Sequence, residues 1–163
     1  MNVHSKRTFL RTAIGVVAGL ATSSFWASSA LAGKTFAVVK SDAEWRRILS
    51  PMAYRVLRKE FTEPPFSSQL NNEKRNGNFV CAACDQKLYN SRTKYDSGTG
   101  WPSFWRPIKG AIGTKADYGL HLPRVEVHCS RCGGHLGHVF DDGPKPTGKR
   151  YCMNGAAMKF EPV

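Results

Sequence analysis

Val125-Glu126-Val127-His128-Cys129-Ser130-Arg131-Cys132-Gly133-Gly134-His135-Leu136-Gly137-His138-Val139-Phe140 decides how this chain folds. Val125 to His128 alternates apolar and polar side chains, the two-residue period of a half-buried strand, and His138-Val139-Phe140 is a second β-prone run. Between them Cys129-x-x-Cys132 is a tight turn that aims two sulfurs at one point, and Gly133 supplies the left-handed conformation such a knuckle needs. The same order occurs once before, at residues 81–89, where Cys81 and Cys84 are followed by Asp85 in the place of Gly133. Two such turns, separated by 44 residues, complete a four-sulfur set of Cys81, Cys84, Cys129 and Cys132. Zinc suits four thiolates because it is tetrahedral and redox-inert. The gap exceeds that of a simple zinc ribbon, so the site is expected to staple two hairpins of a larger domain. The same residues can also be read as two vicinal disulfide-like pairs formed after export, or as a dithiol redox motif.

Outward from this centre the chain is a series of short β-prone runs punctuated by Gly and Pro: Phe79-Val80, Lys87-Leu88-Tyr89, Ser103-Phe104-Trp105 and Met158-Lys159-Phe160. Further toward the N-terminus the pattern turns helical. Ser41-Asp42-Ala43-Glu44 fits a capping box, with Trp45, Ile48 and Leu49 as its apolar face. Ser50-Pro51 is a second start signal, followed by Tyr54, Val56, Leu57 and Phe61. Two short helices are expected between about residues 41 and 60, packed on a sheet. Thr62-Glu63-Pro64-Pro65-Phe66 then breaks the helix and is expected to cross the surface, and Asn76-Gly77-Asn78 marks a turn.

At 163 residues, 41% hydrophobic and 22% charged, the chain has material for one packed domain with an appendage. The appendage is residues 1–32, with three basic residues and no acidic one. A charged start leads into an apolar run from about Thr12 to Trp26 and a small-x-small triplet, Ala30-Leu31-Ala32. This pattern is expected of an export leader, cleaved so that the mature chain begins at Gly33, with 33–40 as a tether and 41–163 as the folded domain. Ser5-Lys6-Arg7-Thr8-Phe9-Leu10-Arg11 is similar to the twin-arginine export motif, with Lys6 in place of the first Arg; a Lys-Arg pair also suits the general secretory route. The apolar run, about 15 residues, falls short of the roughly 20 that span a bilayer as an uncleaved anchor. The expected location is therefore periplasmic or otherwise exported, with no stable membrane association after cleavage. Loss of the leader lowers the formal charge from +12 to +9. In an exported protein that excess serves solubility or attraction to anionic surfaces, and no nucleic-acid partner is expected.

Five cysteines leave one over, Cys152. A lone cysteine reads first as a small buried hydrophobe. Its neighbours point further. Arg150 shares its face if this segment is a strand and can stabilise a thiolate. His135 and His138 offer imidazoles suited to proton transfer, although each alone also reads as a structural residue or a metal ligand. Asp142, in the turn Asp141-Asp142-Gly143-Pro144, can orient a histidine. Trp101, in Gly98-Thr99-Gly100-Trp101-Pro102, reads either as a ligand platform or as a core residue of a turn-rich segment.

Three stretches, Tyr95 to Phe104, Cys129 to Pro144 and Pro146 to Asn154, resemble in order the motifs of the B-type methionine sulfoxide reductases, and the likeness runs from about Tyr54 to Phe160. The resemblance implies a mainly β fold of two antiparallel sheets, β-tent-like, with short N-terminal helices and one structural zinc. It implies thiol-dependent reduction of the R epimer of methionine sulfoxide in proteins. By position, Cys152 matches the family nucleophile and Trp101 the residue against the substrate methyl. His135, His138 and Asp142 match the groups that handle the sulfoxide oxygen and its water. Arg150 matches the residue that supports the thiolate, Asn154 another polar pocket residue, and Cys81, Cys84, Cys129 and Cys132 the zinc ligands. Many relatives carry a resolving cysteine where this chain has Thr99, so the sulfenic acid formed on Cys152 is expected to be reduced by an external thiol, thioredoxin-like or other, without an internal disulfide. Oxidised proteins are the expected partners of a monomer. The alternatives are a zinc-ribbon nucleic-acid module, against which the leader argues, and an exported zinc scaffold without catalysis.

Overall fold

The computed structural model describes residues 35–119 and 123–163; the leader expected over 1–32 lies outside them. Among these residues two α-helices precede nine strands: α1 (Asp42–Ile48), α2 (Pro51–Lys59), β1 (Gly77–Cys81), β2 (Lys87–Asn90), β3 (Lys94–Tyr95), β4 (Ser103–Phe104), β5 (Ile112–Asp117), β6 (Arg124–Cys129), β7 (His135–Phe140), β8 (Arg150–Met153) and β9 (Met158–Pro162). The chain is mainly β. One sheet runs β2-β1-β9 and the other β3-β4-β8-β7-β6-β5, and neighbouring strands within each are antiparallel.

Both helices start where their caps require. Ser41 accepts from the Glu44 backbone N–H while Glu44 reaches back to the Ser41 N–H at 2.8 Å, a closed capping box worth about 1 kcal/mol. Ser50 caps Ala53, and Pro51 at the first helical position has no N–H to leave unpaired. Trp45 and Leu49, four residues apart, turn inward. Ile48, expected beside them, is about half exposed, so the buried stripe of α1 is narrower than its apolar content. The buried side of α2 is Ala53, Tyr54, Val56 and Leu57.

Aromatic rings join the two sheets. Phe79 of β1 meets Phe104 of β4 edge-on at 4.9 Å, and Tyr89 of β2 stacks on Phe104 at 4.3 Å. All three are fully buried, a gain of about 1.5–3 kcal/mol for each phenylalanine. The Tyr89 hydroxyl donates to Met153 Sδ, and burial pushes its pKa well above the ordinary tyrosine value. Residues 35–40 run along the second cysteine turn. Val38 N–H donates to Arg131 O at 2.9 Å, and the Phe36 ring meets His128 edge-on.

The strand expected at Val125–His128 is present and Val127 is fully buried as the alternation requires, but the pattern breaks at Val125 and Glu126. Val125 is 43% exposed and Glu126 only 3%. Glu126 is drawn inward by partners on β5 and β7, and a bulge between Val127 and His128 resets the pairing. Thr62–Phe66 is likewise more than a surface crossing. Glu63 is buried, its carboxylate accepts from the backbone of Gly155 and Ala156, and its own backbone binds Trp101 and Asn154.

Candidate active site

Strand register assembles the site. Across the six-stranded sheet, Lys115 pairs with Glu126, Glu126 with His138, His138 with Cys152, Cys152 with Ser103 and Ser103 with Tyr95. Directly paired residues of antiparallel strands project on one face, so six side chains from six strands stand in a single transverse row. Cys152 and His138 become neighbours through the close approach of β7 and β8 at Gly137. A Cβ there would run into the Cys152 carbonyl, and its φ of +156° is one that glycine adopts readily.

Cys152 is half-buried at a cleft of about 130 Å³ whose lining includes Thr62, Trp101, Arg124, His138, Phe140 and Asn154. Trp101 is fixed by its indole N–H, which donates to Glu63 O at 3.0 Å and leaves the ring to the cleft. Asn154 has both ends of its amide committed: Oδ1 accepts from Glu63 N–H and Nδ2 donates to Leu136 O. A second cleft of about 470 Å³ shares Thr62, Arg124 and His138 with the first and adds Asp117, Glu126 and His135.

Each histidine is held by a carboxylate. His138 Nε2 lies 2.7 Å from Asp117 Oδ2, and His135 Nδ1 lies 2.7 Å from Glu126 Oε1. Backbone donation from Gly119, then the bonds from His138 and Arg124, hold the Asp117 carboxyl down at about 2. Burial pushes Glu126 up, but the neighbouring His128 ring, the hydrogen bond with His135 and the Lys115 ammonium outweigh it and keep the group below the usual carboxylate range. Both are therefore ionised acceptors at neutral pH, so the facing ring nitrogens carry the hydrogens. Burial lowers the His138 pKa, with the Asp117 bond opposing. His135 is 2% exposed, and its Nε2 is buried with no hydrogen-bond partner among the described residues.

These carboxylates replace the one expected. Asp142 binds no histidine among the described residues; both its oxygens take Arg150, from Nε and Nη2, at 2.8 Å each. That pair raises the Arg150 pKa, and the guanidinium lies over the Phe140 ring at 4.3 Å. Sequence reading missed Asp117, Glu126 and Glu63. The single signal for Glu126 was a carboxylate inside an alternating strand, which reads equally well as the solvent face.

The four remaining cysteines converge. Their sulfurs all lie within 4.8 Å of one another, with Cys81–Cys132 at 3.7 Å and Cys84–Cys129 at 3.6 Å. A tetrahedral ion bonded to four sulfurs at about 2.3 Å sets them about 3.8 Å apart, so the set fits a metal ion. Gly133 and Asp85, the residues after each pair, are both left-handed, at φ +69° and +58°. Arg58 of α2 donates to Cys132 O at 3.0 Å and approaches Cys132 Sγ at 3.3 Å, placing a cation beside the sulfur cluster.

A family model described as the SelR domain matches residues 49–162. Over 127 residues the chain is 50% identical to a peptide methionine sulfoxide reductase MsrB of Leptospira interrogans, covering 77% of this chain and 97% of that protein. The chain belongs to the MsrB family of methionine sulfoxide reductases. An MsrB of Methanosarcina barkeri is 52% identical over 126 residues, covering 77% of this chain and 89% of that protein, and one of Agrobacterium fabrum is 52% identical over 127 residues, covering 77% and 94%. As an MsrB this is an oxidoreductase that reduces methionine sulfoxide, acts on oxidised proteins and takes its electrons from a thiol. No helix among the described residues is long and apolar enough to cross a membrane.

Proposed function

We propose that the chain reduces the R epimer of methionine sulfoxide in exported proteins, with Cys152 as nucleophile. The observation that carries this reading is the convergence at one cleft of a free thiol, a carboxylate-held imidazole and an aromatic wall. A sulfoxide sulfur is electrophilic once its oxygen is protonated, so attack needs a thiolate, an acid at the oxygen and an apolar seat for the methyl group. Cys152 attacks the sulfur and His138 serves the oxygen, with Asp117 holding the ring. His135, held by Glu126, serves the water beside it, and Trp101 seats the methyl. Arg150, set by Asp142, supports the thiolate, and Asn154 fixes the cleft wall. In sum, Cys152–SH and sulfoxide give Cys152–SOH and thioether: two electrons leave the cysteine sulfur, and the oxygen moves to it. Two external thiols then restore Cys152–SH, giving their disulfide and water. Cys81, Cys84, Cys129 and Cys132 would hold zinc, which would supply a redox-inert structural staple at the sulfur cluster. Residues 1–32 direct export to the periplasm, 33–40 tether the domain of 41–163, and the mature protein acts as a soluble monomer; intact mass of periplasmic protein and its sedimentation test both points.

The deciding experiment follows separated R and S epimers of a blocked methionine sulfoxide with dithiothreitol as reductant. Consumption of R alone is expected. Consumption of S, or of neither epimer by folded, metal-loaded protein, overturns the reading. A single turnover without reductant is expected to add 16 Da to the intact mass, whereas a loss of 2 Da signals an internal disulfide.

Asp117→Asn tests the positioning of His138. Asp117 raises the His138 pKa against burial, so its removal leaves burial unopposed and the ring takes its proton only at lower pH. Turnover at pH 7 is expected to fall about 10²-fold, with the alkaline limb of the kcat–pH profile moved to lower pH. An unmoved limb rules out His138 as the acid.

A further inference from the structure

On the side of Cys152 away from the histidines lies a line of hydroxyl groups that the steps above do not use. Thr99 Oγ1 is 3.8 Å from Cys152 Sγ, Ser97 Oγ is 2.8 Å from Thr99 Oγ1, and Ser103 Oγ is 2.7 Å from Ser97 Oγ. The line ends at the Trp101 carbonyl, 3.3 Å from Ser103 Oγ. Its inner end is rigid: Ser103 is fully buried and paired directly with Cys152 across β4 and β8. The loop that carries Thr99 is pinned on both sides. Asp96 accepts from Gly98 N–H, and the Gly100 carbonyl accepts from Phe66 N–H and from Asn71 Nδ2. Gly98 and Gly100, at φ +71° and +91°, give the turn that brings Thr99 back over the sulfur.

Counting hydrogens fixes how the line behaves. It has four links: sulfur to Thr99, Thr99 to Ser97, Ser97 to Ser103, and Ser103 to the Trp101 carbonyl. The carbonyl can only accept. With Cys152 as a thiol there are four hydrogens for four links, all donated toward the carbonyl, and Thr99 offers the sulfur a lone pair. With Cys152 as a thiolate there are three hydrogens. If the three hydroxyls turn round, each donates toward the sulfur, and the link given up is Ser103 to carbonyl, the longest of the oxygen–oxygen links at 3.3 Å. Ionisation thus exchanges the weakest neutral bond for a charge-assisted one at the nucleophile.

We propose that Thr99 is a further catalytic residue, whose hydroxyl donates to the Cys152 thiolate, and that Ser97 and Ser103 are positioning residues that let it reverse. The proposal rests on the reading of Cys152 as nucleophile, but its test does not need the reductase reaction. The charged and titratable groups around Cys152 are Arg150 on its own strand with Asp142 bonded to it, His138 on β7, Tyr95 on β3 and Arg124 at the cleft. Substitution at Thr99 leaves all of them in place.

The test is the pH profile of Cys152 alkylation by iodoacetamide in the intact, metal-loaded protein, read as single addition by mass. A hydrogen bond to a charged group is worth enough to move an ionisation by about one pH unit. Thr99→Val is therefore expected to move the alkylation midpoint up by about one unit. Thr99→Ser keeps the hydroxyl and is expected to stay within a few tenths of a unit of the parent. Ser97→Ala breaks the line one link away and is expected to shift the midpoint in the same direction by less. A Thr99→Val profile that superimposes on the parent overturns the proposal, as does a Thr99→Ser shift equal to that of Thr99→Val. Should Thr99→Val not fold, Thr99→Ser and Ser97→Ala decide it: parental profiles in both refute the line as a unit. A protein that alkylates as expected but leaves both sulfoxide epimers intact refutes the proposed reaction instead.

Discussion

Cys152→Ser is expected to abolish methionine sulfoxide reduction and to leave fold and metal content intact. The reason is redox chemistry more than nucleophilicity. The sulfoxide gives up its oxygen only to an atom that can lose two electrons, and a cysteine sulfur does so by becoming a sulfenic acid. A serine oxygen in the same place would have to become a hydroperoxide, which no step of this reaction can drive. The expected loss is at least about 10⁴-fold in kcat, the scale seen when an enzyme loses its nucleophile outright. The structural cost is small. Cys152 is half-buried, and its strand neighbours Ser103 and His138 are held by backbone pairing that serine keeps. Stability is therefore expected to change by less than about 1 kcal/mol. The measurement is chromatographic release of methionine alongside metal content and thermal unfolding; turnover within tenfold of the parent would move the chemistry to another sulfur.

The parts of this fold legible in the sequence are those fixed by local chemistry. The caps at Ser41 and Ser50 act within three residues, and both helices begin where they say. The cysteine turns declare themselves by spacing, and Gly133 and Asp85 adopt the left-handed conformation the knuckles require. β5 was not legible. Gly113-Thr114-Lys115-Ala116 has no apolar alternation, because β5 is an edge strand with one partner, and Thr114, Lys115 and Ala116 stay exposed. Missing β5 meant missing Asp117 at its end and Lys115 beside Glu126, and with them the reason Glu126 can be buried. Asp142 was misjudged for a related reason. Its sequence neighbours include two histidines and one arginine, and only the pairing of Phe140 with Arg150 shows which cation it faces. The site itself was legible as residue types and not as an arrangement. That Cys152, His138 and Glu126 stand in one row is a property of register between β6, β7 and β8, which is reset by the bulge between Val127 and His128 and by the burial of one face, neither of which the residue pattern declares.

Loss of one metal-binding sulfur is expected to cost most of the domain's stability. Cys81 closes β1 of the small sheet, Cys129 closes β6 of the large one, and Cys84 and Cys132 lie in the turns just beyond. An ion held by these four sulfurs would thus join two sheets otherwise held together by the aromatic contacts around Phe104. Three of the four cysteines are buried, and the four sulfurs sit within 4.8 Å of one another, closer than separate thiolates tolerate without a cation between them. Arg58 offsets part of that charge but reaches only Cys132. Cys81→Ser leaves three thiolates and a hydroxyl that zinc binds poorly, in a fully buried position. The expected penalty is about 4 kcal/mol, equivalent to a drop of roughly 10–20 °C in Tm for a domain of this size, and much of the protein is expected to be insoluble. The same fall is expected when a chelator strips the parent protein under reducing conditions, with one zinc released per chain as unfolding proceeds. Disulfide pairs at 81–132 and 84–129 would give a different result: no zinc in the native protein, resistance to chelators and collapse on addition of reductant. Zinc measured in the purified protein, with Tm recorded under chelator and under reductant separately, distinguishes the two and tests whether a metal carries the junction between the sheets.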